Sequence, residues 1–119
     1  MIKGFEEFTI ELNKKDIPAV DLIIKGLNAH VGKENAISNA KIRSVLKSKY
    51  YIKLSDAKVR KIIQYIRQEN RVKRLCSNSS GYYVAKNDQE FEEWTESMRQ
   101  RIRSMKYTLE CVVTQNPML

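Results

Sequence analysis

The sequence predicts a mainly α-helical chain that carries one small β-hairpin. Three observations predict it. Apolar residues recur at helical spacing in four stretches, two β-prone runs flank the tetrapeptide NSSG at 78–81, and 119 residues suit one domain with a modest core.

The elements follow in chain order. Phe8, Ile10 and Leu12 alternate with Thr9 and Glu11. That is a strand period, so residues 1–15 read as an N-terminal arm or edge strand, with the alternation over 5–12. Asp16 is placed as an N-cap and Pro18 falls in the first turn, where its missing N–H is harmless. Ile17, Val20, Ile23, Ile24 and Leu27 then predict a first helix over about 17–30, with Gly32 as its stop. Ala36 and Ile37 have room for a very short strand. Ser38 caps a second helix carrying Ile42, Val45 and Leu46 on one face, and "YYIKL" is short enough to be a turn. Ser55 caps a third helix with the stripe Val59, Ile62, Ile63, Ile66, fading near Asn70.

"VKRLCS" and "GYYVAK" form the hairpin, and Gly81 sits where its turn calls for positive φ. Alternation sends one of Tyr82 and Tyr83 to the core and leaves the other outside, as edge filling or as a stacking surface for a base. Asn87 followed by Glu90 resembles a capping box. Phe91, Trp94, Met98, Ile102, Met105 and Leu109 then mark one face of a long C-terminal helix, 87–112 with its cap, their spacing close to a heptad seam. Residues 113–119 read as a tail.

Charge is distributed unevenly. The net charge is +8. Residues 1–40 hold five Lys/Arg against six Asp/Glu, and residues 75–119 hold the same numbers. Residues 41–74 hold twelve against two, a net of +10. Like charges packed so closely repel one another unless a polyanion is near, and a phosphate backbone is the commonest such partner. An anionic membrane surface fits less well, because the apolar face of these helices is needed inside the fold.

Three short helices followed by a two-stranded hairpin is the order of a winged helix-turn-helix domain, expected over 16–86 and followed by a long C-terminal helix. Its helix-turn-helix portion runs from about Ser38 to Arg71. In such a domain the third helix enters the major groove of duplex DNA and the hairpin, or wing, lies beside the phosphates. On a helical wheel the side opposite the apolar stripe carries Ala57, Lys61, Gln64 and Gln68, flanked by Lys58, Arg60 and Tyr65. Glutamine pairs with adenine in bidentate fashion, and Lys or Arg reaches guanine. Lys41, Arg43, Lys47 and Lys49 of the second helix, Lys53 in the turn, and Lys73 and Arg74 at the start of the wing are the expected phosphate contacts. The wing tip has no charge and offers only hydroxyls and backbone N–H groups.

The stretches "GKENAISNAKI", "VRKIIQYIRQENRV" and "CSNSSGYYVAKNDQEFEEWTESMRQRIRSM" resemble small winged-helix proteins encoded by bacteriophages and prophages. The resemblance spans about residues 28–106 and leaves the N-terminal arm outside it. It implies DNA binding, in phage replication or in transcription control.

Nothing marks an enzyme. The lone His30 sits near the end of the first helix, as a helix-end partner or surface residue, and no nucleophile–base set or glycine-rich phosphate loop is visible. No metal or cofactor is expected: Cys76 and Cys111 lack zinc-site spacing and read as reduced thiols. No apolar run approaches the roughly 18 residues of a membrane span, and the start lacks signal-peptide layout, so a cytoplasmic, nucleoid-associated location is expected. The apolar face of the C-terminal helix, with Phe91, Trp94, Met98, Ile102 and Met105, has three readings. It folds back on the domain, pairs with a second copy, or makes the chain an adaptor that binds a replication or transcription protein.

Overall fold

The computed structural model describes residues 11–115. The chain divides into two compact units, residues 1–86 and residues 87–119. Most of the alternating stretch at 5–12 lies outside the described residues. Glu11, Leu12 and Asn13 have no regular structure, and Leu12 packs against the core.

Among the described residues, the first unit opens with a single 3₁₀ turn, Lys14–Asp16, which runs into helix α1, Ile17–Asn28. Pro18 lies in the first turn as expected. Asp16 occupies the N-cap position but makes no capping hydrogen bond, because its backbone is already helical and its carboxylate is buried. It accepts instead from Lys58 Nζ at 3.2 Å. Helix α1 also ends sooner than the apolar pattern predicts. Residues 30–32 leave it to run beside the hairpin: Val84 N donates to His30 O at 2.9 Å and Gly32 N donates to Val84 O at 2.8 Å. Gly32, at φ 92°, therefore starts the next turn, Lys33–Asn35, rather than ending the helix.

Helices α2, Asn39–Tyr50, and α3, Asp56–Gln68, are both capped as predicted. Ser38 Oγ accepts from Lys41 N, and Ser55 Oγ accepts from Lys58 N, each at 3.1 Å. Each cap satisfies one of the orphan donors at a helix start. The α3 stripe Val59, Ile62, Ile63 and Ile66 is at most 2% exposed and packs with Ala19, Val20, Ile23 and Leu27 of α1 and with Ile42 and Leu46 of α2. Burying each such side chain contributes about 1.5–3 kcal/mol, so α3 is held mainly by this face.

Strands β1, Leu75–Asn78, and β2, Gly81–Val84, form an antiparallel hairpin in the register Leu75↔Val84 to Asn78↔Gly81. Its two-residue turn is fastened by Asn78 Oδ1, which accepts from Ser80 N at 2.8 Å and Gly81 N at 3.1 Å. Gly81 has φ 134°, as the turn predicts. Ile37 adds a single antiparallel bridge to Tyr82, with both hydrogen bonds at 2.8 Å. This is the short strand expected at Ala36–Ile37, reduced to one residue. Neither tyrosine stands free of the fold: Tyr83 is 4% exposed and Tyr82 packs against the core. The expected outside ring is therefore absent.

The second unit is helix α4, Asp88–Gln115, one turn longer than the apolar pattern predicts. Its capping start is as expected: Asn87 Oδ1 accepts from Glu90 N at 2.8 Å. Phe91 and Trp94 are half-buried and tilted against each other, ring centres 6.4 Å apart. Toward the C-terminus the same face is open: Ile102, Met105 and Leu109 are 61, 72 and 62% exposed.

The described residues are thus mainly helical, with a small two-stranded hairpin and a long C-terminal helix.

Candidate nucleic-acid interface

Helix α3 presents the face that the wheel predicts. Ala57, Arg60, Lys61, Gln64 and Gln68 are all exposed, opposite the buried stripe. Arg60 pairs with Asp56 of its own helix at 2.8 Å, an exposed i,i+4 contact of little net strength that a phosphate can displace. Lys58, expected beside this face, has a different task. Its ammonium lies on the buried Asp16 carboxylate and ties α3 to the start of α1.

The structure brings Arg43, Lys47 and Lys53 together. With Ala40, Ser44 and Leu54 they line one shallow hollow between α2 and the turn that leads into α3. Three cations from two elements around one hollow repel each other and favour an anion there. Lys53 also borders a second hollow with Lys15, Asp16 and Ser55. Lys41 is separate from this group. It lies on the other side of α2, at the rim of an apolar groove of about 360 Å3 between α1 and α2, lined also by Leu22, Gly26 and Val45. Lys73 and Arg74 are exposed in the turn before β1, with Arg74 held at φ 57°.

Two residues outside the predicted set organise this region. Asn39, the first residue of α2, accepts from Arg43 Nε through its Oδ1 at 2.9 Å. Its Nδ2 donates to the Asp56 carbonyl at 3.2 Å. One side chain thus aims Arg43 and fixes the start of α3 against the start of α2. Asn39 also borders a polar hollow between α2 and the hairpin turn, lined by Ser38, Ser77, Asn78, Ser79 and Ser80. The uncharged tip is therefore beside the start of α2. The i,i+4 spacing of Asn39 and Arg43 was the available signal for the first contact; the Asp56 contact has none in sequence.

Arg67 is the second such residue. Its guanidinium donates to the Leu75 carbonyl from Nε and Nη2 at 3.4 and 3.3 Å, and to Ser77 Oγ at 3.4 Å. Burial pulls its pKa below the ordinary arginine value. This cation fastens α3 to β1, so it belongs to the scaffold rather than to the exposed charge. Arg71 reaches Asp21 at 3.6 Å and Lys86 reaches Glu34 at 3.5 Å, both at the surface.

His30 lies past the end of α1, and its Nδ1 donates to the Asn35 carbonyl at 2.7 Å. Among the described residues, no group of three or more His, Cys, Asp or Glu side chains is placed to hold a metal ion. Cys76 is buried and its Sγ donates to the Arg74 carbonyl at 3.4 Å, Cys111 is half-buried, and neither is in a disulfide among the described residues. No helix among the described residues is long and apolar enough to cross a membrane. Compared with known proteins, the chain matches no family model, no curated protein and no solved structure.

Proposed function

We propose that the chain is a DNA-binding protein of the winged helix-turn-helix type. In this reading α2, the following turn and α3 form the helix-turn-helix. The exposed face of α3 reads base edges in the major groove, and the hairpin is the wing beside the phosphates. The observation that carries the reading is the hollow shared by Arg43, Lys47 and Lys53, next to a helix whose solvent face offers Lys61, Gln64 and Gln68. The cations position the duplex backbone, and the lysine and glutamines supply base-edge donors and acceptors. The role is non-enzymatic, in replication or transcription control of a phage or prophage, as the sequence resemblance implies.

The test is fluorescence-anisotropy binding of a random duplex at about 50 and about 200 mM salt. Five phosphate contacts, from Arg43, Lys47, Lys53, Lys73 and Arg74, give a salt slope of roughly −4.5, so affinity falls about 500-fold between these conditions. Lys61→Ala and Arg60→Ala each weaken binding while the protein stays folded, since neither touches the buried stripe. Undiminished affinity in the double variant refutes the α3 assignment.

A second reading has its own observation. The open apolar row on α4, from Met98 to Leu109, suits an adaptor that binds another protein. Negligible duplex binding at low salt favours it.

A further inference from the structure

Helix α4 leaves Met98, Ile102 and Met105 at 36, 61 and 72% exposure along one helical line. An apolar row of this kind marks an interaction surface. Two patterns in the same helix state what covers it. The apolar positions 91, 94, 98, 102 and 105 are symmetric about Met98. The charges divide at the same residue: Asp88, Glu90, Glu92, Glu93 and Glu96 precede it, and Arg99, Arg101, Arg103 and Lys106 follow it, with Glu110 beyond them.

We propose that α4 pairs antiparallel with α4 of a second copy of this chain, about a two-fold axis passing Met98. In that register Met98 meets its own copy, Trp94 meets Ile102 and Phe91 meets Met105, while Asp88 and Lys106 of the second copy flank the seam on the same side. Each of these five apolar positions finds an apolar one, and each acidic half faces a basic half. Parallel pairing in register sets acid against acid and base against base. Antiparallel helices also set each macrodipole against the opposite end of the other.

From Phe91 to Leu109 the row advances 18 residues in five turns. That is 3.6 residues per turn, so two nearly straight helices stay in contact along it. Phe91 and Trp94 are already half-buried, so the new cover falls chiefly on Met98, Ile102 and Met105. Arg99 and Arg103 reach Glu96 of their own helix at 3.4 and 3.0 Å. These are exposed contacts of little strength, and the acids of the second copy compete for both cations. Leu109 and Val112 pass beyond the first residue of the paired helix.

The mass of the full chain in solution tests the pairing by size-exclusion chromatography with light scattering. The expected mass is two chains, reduced to one by Ile102→Glu with Met105→Glu at unchanged helical content. A single-chain mass for the parent overturns the proposal, as does a dimer that survives both glutamates. Disulfide trapping in a Cys111→Ser background tests the register. Ile102→Cys and Trp94→Cys proteins stay single when oxidised apart and cross-link when mixed. Self-linking of Ile102→Cys alone overturns the antiparallel arrangement. Where Trp94→Cys fails to fold, charge reversal replaces it. Lys106→Glu weakens the dimer about tenfold, and adding Asp88→Lys restores it. No rescue overturns the register. None of these readouts involves DNA, so they stand or fall separately from the DNA-binding reading.

Discussion

Gly81→Ala adds one methyl group and is expected to destabilise the first unit by about 3 kcal/mol. At φ 134° an L side chain is strained whatever the space around it, at roughly 1–3 kcal/mol. The space is also taken. A Cβ at this position falls 2.1 Å from the Ile37 carbonyl oxygen, 2.4 Å from its carbon and 2.7 Å from Ser38 N. These are backbone atoms, and both are held. Ile37 makes two hydrogen bonds to Tyr82, and Ser38 is the cap of α2. Relief requires the bridge to open, and each lost hydrogen bond costs about 1 kcal/mol. Strain and lost bonds together reach roughly 3 kcal/mol, a fall of about 150-fold in the folded-to-unfolded ratio. The control is Gly26→Ala. Gly26 lies within α1, and a Cβ there meets no heavy atom within 4 Å. The same added methyl raises helix propensity and stabilises by about 0.5–1 kcal/mol. Urea unfolding followed by far-ultraviolet circular dichroism measures both. A Gly81→Ala protein within about 1 kcal/mol of the parent refutes the packing argument for the hairpin.

Two further changes separate scaffold from surface. Lys58→Ala leaves the buried Asp16 carboxylate without its ammonium, and the expected loss is about 1–3 kcal/mol in the same unfolding assay. Lys61→Ala, three residues on and exposed, stays within about 0.5 kcal/mol of the parent, so under the proposed function its effect falls on duplex affinity alone. Ser55→Ala removes the hydroxyl that accepts from Lys58 N and costs about 1 kcal/mol, measured as a lower urea midpoint.

The legible part of the site is the part that depends on near neighbours. The wheel of α3 identified Ala57, Lys61, Gln64 and Gln68 as one exposed face, because a buried stripe at helical spacing leaves only the opposite side for solvent. The grouping of Arg43, Lys47 and Lys53 was legible only as a count of charge. Their common hollow depends on how the turn at 51–55 returns α3 against α2. Lys41 has the same charge and the same helix, yet lies on the groove beside α1. Lys58 and Lys61 are alike in sequence and opposite in use, since one faces Asp16 across 42 residues of chain and the other faces solvent.

The sequence by itself determined the four helices, the serine caps at Ser38 and Ser55, the hairpin turn and the core stripe of α3. All of these rest on contacts within about four residues, or on the phase of apolar positions along one element. Only the tertiary structure decided that α1 ends at Asn28, that Asp16 holds Lys58 instead of capping, that Tyr83 is buried and Tyr82 half-buried in the hairpin, and that Arg67 fastens α3 to β1. Each depends on a partner distant in sequence or on burial set by the folded chain. Residues 30–32 leave the helix because Val84 offers them hydrogen bonds, and Tyr82 is covered because its face of the hairpin lies on the core. Local spacing carries no record of which distant group arrives, so these features exist only once the chain has closed on itself.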